Sequence, residues 1–151
     1  MANRVEDRLD PVLYEEFLSE RFVQLSTIDY QTGGPNVSAL SWVHAKDELT
    51  ILFAVHHRSR ILSNISKQPL IVLNIIANET SYSISGTARV KGSASSEVPI
   101  GLSIIELSIK EVRDVMFYGA KIIAEPKFDK TYDEDAAKKL DQQVMNELKK
   151  H

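Results

Sequence analysis

The stretch from Leu49 to Ile76 decides the fold: it reads LTILFAV, then HHRSRILSNISKQ, then PLIVLNII. The first segment is β-branched and apolar and predicts a strand, a short helix over Ser59–Lys67 follows, and a second apolar strand comes after it. Positive side chains beside the free N–H groups of a helix start form a phosphate site. The stretch therefore predicts a phosphorylated ligand beside a small β-barrel.

The sequence before this stretch predicts one helix and three strands. Asp10 and Pro11 are typical of a helix N-cap and first position. The predicted elements are a helix over Pro11–Leu18 and strands over Phe22–Ile28, Asn36–His44 and Leu49–Val55. Short polar turns join the three strands, so we expect an antiparallel meander.

The sequence after this stretch predicts three more strands. They are Leu70–Ile76, the alternating segment Ser81–Lys91, and a strand over Leu102–Ile109 and Val112–Phe117 with an interruption at Lys110–Glu111. A glycine inside a strand, here Gly86, indicates a bend or a close backbone approach. Six antiparallel strands with peripheral helices predict a mainly β fold, a closed or nearly closed small barrel.

The tail predicts a helix over about 133–150, in which Ala136, Leu140, Val144 and Leu148 form an apolar stripe. Such a stripe needs a surface to cover. That surface belongs either to the same subunit or to a partner.

Composition narrows the class of protein. The chain has 151 residues, a net charge of −3, 43% hydrophobic residues and no cysteine. We expect a single globular domain over 1–151 that binds neither nucleic acid nor membrane and uses no thiolate chemistry. The charged N-terminus has no apolar signal region, so we expect a cytoplasmic protein.

Four features in order resemble the FMN-binding split barrels related to pyridoxamine 5′-phosphate oxidase. They are Pro35-Asn36-Val37-Ser38-Ala39-Leu40-Ser41-Trp42-Val43, the helix start Arg58-Ser59-Arg60, the segment NISKQPLIVLNI, and Ile84-Ser85-Gly86-Thr87-Ala88. The resemblance implies a six-stranded split β-barrel, FMN as cofactor and a homodimer. The C-terminal substrate motif of the authentic oxidase is missing, so oxidation of the vitamin itself is not expected.

The resemblance also implies site residues. It places the FMN phosphate at Ser59 and Arg60 with His57 and Val55 close by, and the flavin ring along Ser38, Leu40, Ser41 and Trp42. It gives Phe117 the place of an aromatic that a partner subunit contributes. By the residues alone, Ser59 also fits a helix cap flanked by solvated arginines, and Trp42 fits a core or dimer-interface position equally well.

No catalytic side chain or metal site is predicted. His56 and His57 are neighbours on a strand, so we expect their rings on opposite faces, one toward the ligand. The carboxylates lie in turns and near helix starts and are read as surface or capping charges.

The resulting functional hypothesis is an FMN-dependent oxidoreductase that uses NADH, NADPH or a small organic substrate. The alternative is a non-catalytic flavin- or haem-binding module, such as a carrier, sensor or stress-response protein, and the ligand class remains open between FMN, haem and a deazaflavin. Val55 and Ile61 are apolar where the family often has polar contacts, which keeps open a barrel whose flavin site has been lost.

Overall fold

The computed structural model describes residues 5–151, and within them the chain forms eight strands and three helices. In chain order these are β1 (Val5–Glu6), α1 (Pro11–Glu16), β2 (Val23–Ile28), β3 (Pro35–Leu40), β4 (Val43–Asp47), β5 (Thr50–His56), α2 (Arg60–Lys67), β6 (Leu70–Ala77), β7 (Thr80–Ser93), β8 (Leu102–Asp114) and α3 (Glu134–Lys150). The predicted caps are confirmed: Asp10 Oδ1 accepts from Leu13 N at 2.8 Å, and Ser59 Oγ accepts from Ile61 N at 3.2 Å.

The strands form one antiparallel sheet that curls back on itself. Its order is β3-β2-β6-β7-β8-β5-β4, and β1 pairs with β8 beside this path. The first and last strands, β3 and β4, are consecutive in the chain and are joined by two residues, Ser41 and Trp42. A two-residue link can span the ends of the sheet only if the sheet closes into a barrel. The predicted mainly β split barrel with peripheral helices is confirmed, with eight strands in the described part instead of six.

The predicted strand Asn36–His44 is wrong in one respect, because it is two strands. The carbonyl oxygen of Ser41 accepts from Arg21 N and from Val43 N, both at 3.0 Å, which takes the backbone out of the strand ladder. β3 then pairs with β2, and β4 pairs with β5. The expected three-strand meander is therefore also wrong, since β4 lies at the opposite edge from β3.

The long strands β7 and β8 confirm one glycine prediction and correct another detail. A Cβ at Gly86 would collide with the backbone carbonyl of Ser108, so this position has the close backbone approach that its glycine indicated. β8 is continuous where an interruption was predicted. Its pairing passes from Glu111 to Ile109 opposite Ser85 and Gly86, which leaves Lys110 as one extra residue in a bulge.

Two apolar clusters stabilise the fold. The larger one fills the barrel under α1 and α2. The smaller one lies outside the barrel, where Val144, Met145 and Leu148 of α3 pack on Leu52 and Ile104. The apolar stripe of the tail helix is thus covered by its own chain, and Ala137 rather than Ala136 is the buried alanine.

No helix in residues 5–151 has the length and apolar character needed to cross a bilayer.

Candidate cofactor cleft

A cleft of about 420 Å³ opens where the β3–β4 link, β5 and the start of α2 meet. This volume is within the range of small-molecule sites, roughly 300–1,000 Å³. Its lining residues are Ser38, Ala39, Leu40, Ser41, Trp42, Ala54, Val55, His56, Ser59, Ile61, Ile100 and Leu102. The cleft has a polar end at Ser59 and a broad apolar side.

Most of the predicted site residues meet in this cleft. Those that line it are Ser38, Leu40, Ser41, Trp42, Val55 and Ser59. Arg60 and His57 are sequence neighbours of lining residues but do not line the cleft themselves. Phe117 lies elsewhere, in a cavity between the β6–β7 turn and the end of β8, with its side chain 70% exposed.

The two adjacent histidines do not point to opposite faces as expected. Their rings stack with centroids 4.4 Å apart, because His57 lies just past the end of β5, where strand alternation no longer applies. His56 lines the cleft, and His57 Nδ1 lies 2.9 Å from the carbonyl oxygen of Gly101. A Cβ at Gly101 would collide with the His57 ring, so the glycine is needed for this contact.

The start of α2 is held by a network of hydrogen bonds that we call the α2 network, formed by Asp29, Arg60 and Asn64. Arg60 Nε donates to Asp29 Oδ1 at 2.6 Å, and its Nη2 donates to Gln31 Oε1 at 3.1 Å. The guanidinium also lies 4.8 Å from the centre of the Tyr30 ring. Arg60, predicted to contact phosphate, is therefore already paired with a carboxylate of the β2–β3 turn.

Asp29 is a buried carboxylate, only 4% exposed. The hydrogen bond from Arg60, and then the backbone N–H groups of Thr32 and Gln31, hold the pKa of Asp29 well below its usual range. Asp29 is thus charged at neutral pH and needs its donors.

Asn64 joins the same turn to α2 from inside. It is 1% exposed, its Oδ1 accepts from Tyr30 N at 2.9 Å, and its Nδ2 donates to Thr27 Oγ1 and Asn36 Oδ1, both at 2.9 Å. All of these contacts join residues of α2 to β2, β3 and their turn. The α2 network therefore fixes the polar end of the cleft to the barrel.

Arg58 differs from its neighbour Arg60. Its side chain is exposed, and within residues 5–151 no hydrogen bond or ion pair of its guanidinium is found. Arg58 is thus the unpaired cation next to the cleft.

A second network, which we call the Lys130 network, holds the β3–β4 link. Lys130 Nζ lies 2.8 Å from both Glu20 Oε2 and Asp141 Oδ1. Glu20 accepts from Ser41 Oγ at 2.5 Å, and Asp141 accepts from Trp42 Nε1 at 2.9 Å. Partial burial lowers the pKa of Lys130, but the hydrogen bonds to Asp141 and Glu20 outweigh burial and leave that pKa raised.

Sequence reasoning missed this second network entirely, along with the cleft contribution of Ile100, and of the two histidines it named His57 among the site residues, whereas His56 lines the cleft. Glu20, Lys130 and Asp141 look like ordinary surface charges in the sequence, because no local spacing relates them. Ile100 lies in the connection between β7 and β8, where no periodicity marks it.

The chain belongs to the pyridoxamine 5′-phosphate oxidase family, whose family model matches residues 9–116. The resemblance drawn from the sequence is thereby confirmed. A sequence search of curated proteins finds no match.

Solved structures share the fold at low sequence identity. HupZ of Group A Streptococcus is 13% identical with a TM-score of 0.60, and the match covers 75% of this chain and 98% of that one. An F₄₂₀ reductase is 13% identical with a TM-score of 0.54, covering 68% and 96%. The heme binding protein of Mycobacterium smegmatis is 17% identical with a TM-score of 0.54, covering 76% and 57%. At these identities the likeness concerns the fold.

Proposed function

We propose that this chain is an FMN-binding oxidoreductase, with the FMN phosphate at the start of α2 and the flavin ring along the β3–β4 link. The observation that carries the proposal is the cleft, which brings six of the predicted contact residues together around one ligand-sized space. Membership of the pyridoxamine 5′-phosphate oxidase family and the fold shared with an F₄₂₀ reductase support it.

The donors at the start of α2 fit a phosphate. The N–H groups of Ile61 and Leu62 donate to the hydroxyl and the carbonyl oxygen of Ser59. Among the described residues this leaves the Arg60 N–H as the unused donor of the first turn of α2. Among residues 5–151 Arg60 Nη1 makes no hydrogen bond, while Asp29 and Gln31 hold the Nε and Nη2 groups of the guanidinium. A phosphate placed there meets a backbone N–H, an oriented cation and the positive end of a helix.

The remaining residues of the cleft orient a ring and exclude water. Leu40, Val55 and Ile61 provide apolar contact, Trp42 offers an aromatic face, and Ser38 and Ser41 offer hydroxyl groups at the edge. FMN, when bound, would supply the redox chemistry by exchanging hydride with a nicotinamide or a small organic substrate. The chain contributes binding, orientation and the exclusion of water, and no acid or base of its own is required.

Absorption spectra test this proposal directly. The protein is purified without added cofactor, incubated with FMN and desalted, and the retained flavin spectrum is compared with that of the untreated protein. We expect flavin to be retained and to be reduced by NADH or NADPH. Absence of retained flavin in both samples would contradict FMN binding, and retained flavin that neither nicotinamide reduces would contradict a nicotinamide-dependent reductase.

Variants separate the phosphate role of Arg60 from its structural role. We expect Arg60→Ala to lose FMN and Arg58→Ala, the matched control with an unpaired arginine, to retain most of it. The double variant Arg60→Ala/Asp29→Asn removes the unpaired buried charge as well. If the double variant regains FMN binding, Arg60 acts only by holding Asp29, and the phosphate assignment fails.

We also propose that the protein acts as a homodimer in which Phe117 of one copy meets the cleft of the other. The exposure of Phe117 at 70% and of Tyr118 at 97% supports this, because large aromatic side chains that exposed are typical of a contact surface. Sedimentation velocity should show a dimer at micromolar concentration. A monomer there would contradict the proposal.

A non-catalytic haem-binding module is the second candidate, and the geometry of His57 favours it. Its Nδ1 lies against the Gly101 carbonyl, so the neutral ring donates there and leaves Nε2 unprotonated, as in most histidine ligands of metals. The fold shared with the heme binding protein adds support. Added haem should then give a Soret band that His57→Ala loses, and an unchanged band in that variant would contradict it.

A further inference from the structure

The β3–β4 link, Ser41 and Trp42, lies in the cleft wall but belongs to no strand or helix. Backbone hydrogen bonds from Arg21 N to the Ser41 carbonyl oxygen and from Ala54 N to the Trp42 carbonyl oxygen hold the main chain here, so other contacts decide the position of the two side chains. Trp42 packs at the edge of the smaller apolar cluster, and its indole N–H and the Ser41 hydroxyl each donate to a different carboxylate.

One cation connects these two carboxylates. Lys130 Nζ lies 2.8 Å from the Glu20 oxygen that holds Ser41 and 2.8 Å from the Asp141 oxygen that holds Trp42. It also lies 5.7 Å from the centre of the Trp42 ring. The three charged side chains are each about one-fifth exposed, with values of 23% for Lys130 and 19% for each carboxylate. Their attraction is thus less screened than that of a surface pair.

We propose that Lys130 is a positioning residue of the cleft, which fixes Ser41 and Trp42 through Glu20 and Asp141. Lys130 does not line the cleft, so it acts on a ligand only through these two residues. The consequence for FMN rests on the proposed function, whereas the consequence for the position of Trp42 does not.

The physical reason is charge balance. Without Lys130 two partly buried carboxylates face each other with one cation fewer, and like charges at short range repel. Either carboxylate relieves the repulsion by moving toward water, and it then loses its hydrogen bond to Ser41 or Trp42. The side chains of the link would loosen although no residue of the cleft had been changed.

The segment that carries Lys130 has other anchors, so the variant should fold. Glu125 pairs with Arg21 at 2.5 Å, and the Phe128 ring lies 6.3 Å from that of Phe22. Asp133 caps α3 by accepting from Ala136 N at 2.8 Å. Lys130→Met keeps the aliphatic chain over the aromatic rings and removes only the charge.

Trp42 is the only tryptophan in the chain, which makes its fluorescence a direct measure of its position. Without ligand, we expect Lys130→Met to shift the emission of Trp42 to longer wavelength and to raise its quenching by acrylamide. Lys130→Arg should restore both. The matched control is Lys138→Met, which removes an exposed lysine from the same side of the molecule, where it pairs with Glu134 on α3. Lys138→Met should leave both the emission wavelength of Trp42 and its quenching by acrylamide unchanged.

The ligand measurement is made on the same proteins with FMN. We expect Lys130→Met to weaken FMN binding roughly tenfold, the effect of about one charged hydrogen bond, while Lys138→Met binds as the wild type does. Adding Glu20→Gln to Lys130→Met removes the repulsion and should recover part of the emission shift and of the affinity.

The outcomes separate the two proposals. If the wild type binds no FMN, the proposed function fails, and the emission and quenching of Trp42 alone decide whether Lys130 positions the link. Wild-type emission and quenching in Lys130→Met would overturn the positioning role. A shifted Trp42 with wild-type FMN affinity would show that the link does not hold the ligand, and a double variant that recovers nothing would overturn the charge-balance mechanism.

Discussion

The α2 network and the Lys130 network both hold a wall of the cleft, but they draw on different parts of the chain. Arg60 and Asp29 are 31 residues apart, in elements that pack directly on each other. Lys130 and Glu20 are 110 residues apart, and Trp42 and Asp141 are 99 apart. The difference shows that one end of the site is built within the barrel, whereas the other requires the C-terminal segment to return to it.

The two networks also differ in how they balance charge. In the α2 network one buried carboxylate, Asp29, receives two backbone N–H groups and one arginine. In the Lys130 network two carboxylates share one lysine. The α2 network should therefore stabilise the fold more strongly, and the Lys130 network should act mainly on the position of Trp42.

The largest expected effect on stability is that of Asn64→Ala in the α2 network. The substitution leaves buried partners such as Tyr30 N–H without a hydrogen bond and should lower the free energy of unfolding by roughly 2–4 kcal/mol. Urea denaturation measures this. Ser63→Ala, at an exposed position of the same helix, is the control and should stay within about 0.5 kcal/mol of the wild type. Equal effects of Asn64→Ala and Ser63→Ala on the unfolding free energy would mean that the α2 network does not stabilise the fold.

Arg60→Ala should destabilise the fold less than Asn64→Ala, with a dependence on pH. The pKa of Asp29 is lowered in the folded state, so the ion pair stabilises the fold above the ordinary carboxyl pKa of about 3.9 and loses this effect as pH falls through the lower folded value. Denaturation midpoints at several pH values should thus show the difference from wild type narrowing below about pH 4. A difference that is the same at pH 7 and pH 3 would contradict the assigned ion pair.

Ser59 offers a smaller effect that separates stability from ligand binding. Ser59→Ala removes the N-cap of α2 and should cost about 1 kcal/mol of unfolding free energy. Ser59→Asp restores a good cap but places a negative charge at the proposed phosphate position. Thermal denaturation should therefore show that Ser59→Asp is nearly as stable as the wild type. Incubation with FMN and desalting should show that this variant no longer retains FMN. A Ser59→Asp protein that still retains FMN would place the phosphate elsewhere.

The smallest effect is expected on the α3 side, at His44. Its Nδ1 is buried and has no partner among the described residues, and burial followed by the charge of Lys149 lowers its pKa. The folded state therefore disfavours protonation of the ring, and the unfolding free energy decreases as pH falls below the ordinary histidine pKa of about 6.5.

His44→Leu tests this contribution. It removes an unpartnered polar atom, so stability at pH 7 should change by less than about 1 kcal/mol. The decline in the unfolding free energy between pH 7 and pH 5 should become shallower than in the wild type. An identical decline in both proteins would assign it to other groups.

Local patterns predicted the start of α2 and the close approach of β7 to β8 better than the β3–β4 link. Ser59 as a cap and the close approach at Gly86 follow from properties of single residues, and both are present. The break at Ser41 could not be predicted, because Asn36–His44 has no glycine or proline inside it. It arises because two neighbouring stretches pair with strands at opposite edges of the sheet.

The pairing of Arg60 illustrates the same limit within a site that was predicted. The sequence places an arginine at the helix start, and it cannot show that Asp29, in the turn before β3, reaches its guanidinium. Side-chain partners of this kind depend on the packing of α2 over the β2–β3 hairpin.

By itself the sequence determined most of the strands, the helix starts and the family, because hydrophobic period, caps and turns are set by residues close together in the chain. Only the tertiary structure decided that the sheet closes through Ser41 and Trp42, that α3 covers its own barrel, and that Lys130 meets Glu20 and Asp141. The contacts of Lys130 with Glu20 and of Asp141 with Trp42 join residues about a hundred positions apart. Such contacts depend on the closure of the barrel and on the burial of apolar surface, and neither can be read from residues close together in the chain.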